Sequence, residues 1–357
     1  MARYLGFMIM LISSVAFAQT LVVEGDAERF EYDLDLLEHV SFCELDSLSN
    51  AALSFHTVEG IKHICLEDID SLDFNEAGEV VVYHGELISY FRRVDIDFID
   101  ITPVTIPDRQ DGARTGSEFM ENILVTTFTE REPQILTEIL NGNIPDILRD
   151  FITLSSTFQD VNGVSHSVEY DVMSDYLSIG TNEDYCRIPM GPGTAQKIAD
   201  AFGCMLTTTK LCDDIWEHAT VHLNPIPYAP VGDNNSQVYK FIEHNTDINT
   251  ARDLAGGQIH ELIAGIKKDV VICNGIKTKP GYVAIYGWHY LTGVRIQPLY
   301  LGHVDFYVDY SHGIRLVNEI IRVDGVLMDA HDILKDPILY KLLSYENGIM
   351  QQPGYAY

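Results

Sequence analysis

Apolar residues at positions 119, 120, 123 and 124, and again at 135, 136, 139 and 140, recur with the three-and-four spacing of amphipathic helices. Ser117 stands as a cap before the first set, and Asn141-Gly142-Asn143 stops the second. Ile144-Pro145 then opens a short helix to Arg149, with proline in its first turn. Residues 152–154 and 165–170 read as strands joined through Val161-Asn162-Gly163-Val164, a strong hairpin signal. Helices follow over 194–202, 208–218 and 250–265. From Asp269 the pattern turns to strands at 270–272, 282–286, 295–299, 306–309 and 314–317, punctuated by Gly281, Gly293, Gly302 and Gly313. Residues 327–344 read as helical and 346–357 as a flexible tail. The expectation for 111–345 is therefore an α+β domain, a helical first half packed on a mainly antiparallel sheet.

A different texture precedes it. Glu44-Leu45-Asp46-Ser47-Leu48, Asp68-Ile69-Asp70-Ser71-Leu72 and Asp95-Ile96-Asp97-Phe98-Ile99 repeat one short phrase, separated by runs of strand formers such as Val80-Val81-Val82-Tyr83. Residues 19–110 are read as an acidic, β-rich repeat module, with the boundary in the polar stretch Pro107–Gly116. This module holds 21 acidic and 5 basic residues, against 53 and 23 for the whole chain, whose formal charge is −30. Such a polyanion, with no basic patch set aside, disfavours nucleic acid as a partner. No apolar run after the first 20 residues is long enough for a membrane span.

The first 18 residues have the grammar of a secretory signal peptide. Arg3 supplies the charge, Leu5–Ile12 the apolar run, and Ala16-Phe17-Ala18 the small residues of a cleavage site. The expected location is secreted, periplasmic or at the cell surface. Six cysteines, at 43, 65, 186, 204, 212 and 273, then permit up to three disulfides without dictating any, and buried thiols remain an equal alternative. The acidic phrases resemble a calcium loop from Asp73 onward, but Ala77 and His84 stand where two oxygen donors are needed, so a solvated acidic turn is expected instead.

The densest polar cluster runs from Lys267 to Arg315. Lys267, Lys268, Asp269, His289, His303, Asp309, Ser311, His312 and Arg315 alternate there with Tyr286, Trp288, Tyr307 and Tyr310. His289, His303 and His312, with Asp309, could ligate zinc around an open position for water. Alternatively His312, His289 or His303 acts as general base, oriented by Asp309, for a nucleophile from a helix terminus. Cys186 and Cys204 lie near helix starts, but no surrounding signature marks either as that nucleophile. Ser311 is not expected in that role, because neighbouring strand residues face opposite sides. Lys267, Lys268, Arg315, Trp288 and Tyr310 would bind substrate, the cations by recognising a carboxylate or similar anion. The alternative is that these are hydrogen-bonded sheet residues and ordinary packing. His218 and His222 share a spacing found in metal sites, but their order fits no peptidase motif and a helix-end role is preferred. Gly191-Pro192-Gly193 reads as a plain helix cap.

Two resemblances add to this. The Asp-Ile-Asp-Ser-Leu phrase is similar to segments of exported proteins from Bacteroidetes-type bacteria. Gly142-Asn143-Ile144-Pro145 with Leu148-Arg149, Arg187-Ile188-Pro189-Met190, Tyr286-Gly287-Trp288-His289 and Asp309–Arg315 together resemble a family of exported bacterial proteins, over roughly two-thirds of the chain. That resemblance supports export and implies no particular activity. In the family a histidine precedes the lysine pair, where this chain has Ile266, so the resemblance implies an altered set of histidines here. The expected function is a secreted hydrolase of amide or ester bonds in an envelope or extracellular polymer or peptide. The alternative is a non-catalytic secreted protein that binds a glycan or peptide.

Overall fold

The computed structural model describes residues 106–357 in full and, before them, the backbone of the strands between Phe7 and Pro103. The chain divides into two units, Met1–Thr105 and Ile106–Tyr357. In the first, Ile96–Pro103 and Gly60–Cys65 flank Ala51–Thr57, and Ser71–Phe74, Glu79–His84 and Leu87–Arg92 follow one another in a second sheet, all pairing antiparallel. Apart from the strand Phe7–Ile9, the expected leader lies outside the described residues. So do Cys43 and the turn of the calcium-like segment.

The second unit is α+β. Helix α1 (Gly116–Asn122) starts at Thr115, not at the Ser117 expected, in a capping box, the Thr115 hydroxyl accepting from the Glu118 N–H while Glu118 reaches back to the Thr115 N–H. Thr127 and Glu130 form the same box at α2 (Phe128–Leu140). Strands β1 (Ile152–Gln159) and β2 (Ser165–Val172) make the expected hairpin, its turn held by the Asp160 carboxylate accepting from the Asn162 and Val164 N–H groups, with Gly163 at φ 79°. After α3 (Pro192–Ala201) come β3 (Cys204–Leu206) and α4 (Thr209–His218), the latter capped by the Thr208 hydroxyl. Helix α5 spans Val238–Leu254, well before the 250–265 expected. Its buried positions 238, 241, 244, 245, 248 and 252 keep helical spacing but include His244, Asn245 and Arg252, so the apolar stripe is broken by groups buried for polar reasons.

Strands β4 (Lys268–Val270), β5 (Tyr282–His289), β6 (Arg295–Val304) and β7 (His312–Gly313) form a four-stranded sheet in the order β6-β5-β4-β7, antiparallel except for β4 with β7. Strands β8 (Leu316–Asn318), β9 (Ile320–Val323) and β10 (Val326–Asp329) complete a six-stranded sheet, ordered β3-β8-β2-β9-β10 with β1 on β2. Both sheets feed one hydrophobic core that includes Val172, Leu206, Ile285 and Leu316.

Three expectations are corrected. Residues 306–309 are not a strand: the turn at Asp305-Phe306 leads into an irregular segment in which Asp309 spends its carboxylate on the Ser311 N–H and hydroxyl. The stretch 327–344 begins in β10 and breaks at Asp336-Pro337 between α6 (Ala330–Lys335) and α7 (Tyr340–Leu343). The carboxyl end is docked: Tyr355, 9% exposed, donates its hydroxyl to the Val271 carbonyl and accepts from the Ala284 N–H.

Candidate functional site

Strand β5 distributes the chemistry. Its register against β6 shifts at Gly287, which has φ 95°, and Trp288 follows at φ 57°, a conformation that costs a bulky residue appreciable strain. In a regular strand Tyr286 and Trp288 would share a face and His289 would oppose them. The two left-handed residues change this: Tyr286 and His289 both reach Asp213 of α4, while Trp288 turns toward Lys268, His244 and Tyr310.

The centre at Asp213 is saturated. His289 Nε2 lies 2.9 Å from one carboxylate oxygen, the Tyr286 hydroxyl 2.9 Å from both, and Arg295 Nη1 3.0 Å from the other. Burial would raise the Asp213 pKa, but the bonds from His289 and Tyr286 and the Arg295 charge hold it below the usual carboxylate range. A carboxylate so fully used fixes α4, β5 and β6 against one another and leaves little capacity for reaction.

The other centre lies where β4 is flanked by β5 and β7. Lys268 stands opposite Gly287 on one side and His312 on the other. Its ammonium sits 5.0 Å from the Trp288 ring centroid. His312 is 1% exposed, neither of its ring nitrogens has a hydrogen-bond partner, and Asp309 Oδ1 is 4.0 Å from Nε2. His303, half-buried, stacks on Tyr307 at 4.2 Å and faces the His312 ring at 6.4 Å. Burial lowers the pKa of both imidazoles, Lys268 adding to the effect, so both are neutral at pH 7. Burial works to raise Asp309, yet His312 once protonated, the Lys268 charge and the bonds from Ser311 outweigh it and hold its pKa below the usual carboxylate value. Tyr228, from the loop before α5, stacks on Tyr310 at 4.5 Å and donates its N–H to the Tyr310 hydroxyl.

The residues singled out from the sequence therefore divide. Asp309, His312, His303, Lys268, Trp288 and Tyr310 come together. His289 does not join them, being held at Asp213. The zinc set of His289, His303 and His312 is corrected accordingly: among the described residues no three His, Cys, Asp or Glu side chains gather as metal ligands. Lys267 points inward, 1% exposed, donating to the Tyr310 carbonyl at 2.5 Å and lying 3.2 Å from His244 Nδ1. Burial, with Arg187 nearby, depresses its pKa to about 7. Arg315 is likewise internal, bonded to the carbonyls of Met173, Ser174 and Ile263 over the Tyr176 ring, so neither cation is free for substrate. Ile266 is buried in the core. His218 and His222 bond backbone carbonyls of Asp214 and Trp216 at the end of α4. Cys186, Cys204, Cys212 and Cys273 are buried free thiols.

Asp213, His244 and Tyr228 escaped the sequence reading. His244 carries a signal, since it falls in the three-and-four spacing of α5's buried positions. Asp213 and Tyr228 carry none, because only tertiary packing brings them to β5 and Tyr310. No protein-family model, curated protein or solved structure matches the chain.

Proposed function

We propose that the chain is an exported hydrolase of ester or amide bonds in an envelope or extracellular polymer or peptide, working at His312, Asp309, His303 and Lys268. The observation that carries the reading is His312: a buried neutral imidazole with both nitrogens unbonded, beside a fixed Asp309 and flanked by His303, Tyr307 and Lys268. Buried polar atoms are rarely left unpaired without a functional reason. In this reading His312 takes a proton from the attacking water as oxygen adds to the carbonyl carbon. Asp309 stabilises the imidazolium so formed, which then protonates the leaving oxygen or nitrogen. Lys268 offers a positive charge to the developing oxyanion. Water is the nucleophile, because the Ser311 hydroxyl is committed to Asp309 at 2.5 Å and burial raises the thiol pKa of Cys186 and Cys204.

The burial of His312 also favours a second reading, a binding protein in which the Tyr228, Tyr310 and Trp288 rings and Lys268 hold a glycan or peptide. Turnover of an ester and amide substrate panel by the full chain, compared with H312A and K268M, separates the two. The hydrolase reading expects a loss of about 10²-fold or more in kcat for H312A. Ligand binding with no turnover in the parent, or turnover indifferent to H312A, would establish the binding role instead.

A further inference from the structure

We propose that the corner between Lys268 and Trp288 is a pocket for a carboxylate, so that the substrate bears a free carboxylate next to its scissile bond. Trp288 Nε1–H can only donate, its residue is 3% exposed, and it has no hydrogen-bond partner. The strain at Trp288 and the left-handed Gly287 are what turn this indole away from Asp213, so the backbone is distorted in order to place a donor that nothing in the protein satisfies. Beside it stands the Lys268 ammonium, whose charge also acts on Asp309, His303 and His312. The neighbouring acceptors are already occupied: Asp309 by Ser311 and, at 3.4 Å, the Tyr307 hydroxyl, and the Tyr310 carbonyl by Lys267. What remains is the unbonded indole N–H, one half-buried ammonium and the unbonded His244 Nε2, with the Tyr310 ring at 6.3 Å and the His244 ring at 6.5 Å from the indole.

An acceptor-only, planar anion with an apolar body complements this set. A carboxylate's two oxygens match the indole N–H and the ammonium, whereas a phosphate would bring more oxygens and more charge than one ammonium and two neutral ring nitrogens can serve. Lys268 links the two halves of the site, holding the anion on the Trp288 side and facing His312 on the other. The pocket itself does not depend on the chemistry at His312, but its role in choosing a substrate rests on the hydrolase reading.

The chain has two tryptophans, Trp216 and Trp288, so a nitrogen–proton correlation spectrum of the full-length protein shows two indole signals, assigned with W216F. Titration with acetate is expected to move the Trp288 indole proton downfield saturably, with Trp216 still. Acetamide and inorganic phosphate should leave Trp288 unmoved, and K268M should weaken acetate at least tenfold while keeping the Trp216 signal in place as a check on folding. An equal response to acetamide, a response to phosphate alone, or unchanged affinity in K268M would overturn the proposal. Acetate binding as expected in a protein that hydrolyses nothing leaves the pocket standing and removes the hydrolase. H312-dependent turnover with an unresponsive Trp288 does the reverse.

Discussion

Arg187 makes the most demanding test of how this unit is held together. It is 1% exposed and buried opposite Asp175, with Nε 2.9 and 3.0 Å from the two carboxylate oxygens and Nη2 2.5 Å from one of them. Nη1 bonds Asn245 and Asn249 of α5, each at 2.9 Å. Replacing Arg187 by methionine keeps most of the volume but leaves a buried carboxylate without its counter-charge and the Asn249 amide oxygen without this donor, while that of Asn245 keeps only the residue-187 N–H. Breaking one half of such a pair costs about 3–5 kcal/mol. Removing both charges, in R187M/D175N, should recover a substantial part of that loss, because the stranded charge is the main penalty. Both tryptophans lie in the second unit, so fluorescence-monitored urea unfolding reports on it selectively. With slopes of about 1–3 kcal/mol per molar, R187M should lower the midpoint by about 1 M or more. The same variant should loosen α5 and with it His244, which neighbours Asn245. An unfolding free energy within about 1 kcal/mol of the parent, or a double variant no better than the single, would refute the argument that this ion pair organises the core.

Three further outcomes follow from named groups. His312 and His303 have pKa values depressed by burial, so under the proposed hydrolase reading kcat/KM should hold down to about pH 6.5 and fall only under that. For stability the sign is the same: the unfolded imidazoles bind protons first, so the His312 contribution is whole above about pH 6.5 and lost as pH falls toward its folded pKa, and acid titration of the urea midpoint should rise with pH over that window. Tyr355→Phe removes a hydroxyl that serves two buried backbone groups, and a loss of about 1–3 kcal/mol in thermal or urea unfolding is expected, whereas a loose tail would show no change. Cys186 and Cys273, pushed by burial to about 12 and 11, and Cys204 and Cys212, raised by burial well above an ordinary thiol, should resist a thiol reagent in the native protein and react on unfolding; rapid native labelling of any of the four would contradict their placement.

Local signals were legible where local chemistry decides. The hairpin at Gly163 and the strand character of residues 282–286 and 295–299 follow from short-range pattern, whereas the cap of α1 falls at Thr115, two residues before the Ser117 expected. Helix α5 was displaced because its buried stripe carries His244, Asn245 and Arg252, which hydrophobic periodicity counts as exposed. The polar cluster on the carboxyl-terminal sheet was visible as a cluster, and Asp309, His312, His303 and Lys268 do meet. Its division was not visible, because strand alternation predicts Tyr286 and Trp288 together, and only the two positive φ angles separate them. Lys267 and Lys268 look alike in sequence, yet alternation buries one against the Tyr310 carbonyl and turns the other, half-buried, to the Trp288 ring.

The left-handed pair in β5 also sets where this chain can change length. Beyond His289 the hairpin tip is exposed at Leu291 and Val294, and extra residues there would hang in solvent without moving either centre. A single deletion between Ile285 and His289 would be a different event. It would slide an imidazole into the indole's place and an indole toward a carboxylate that has no use for it, leaving the sheet intact and both centres wrongly furnished.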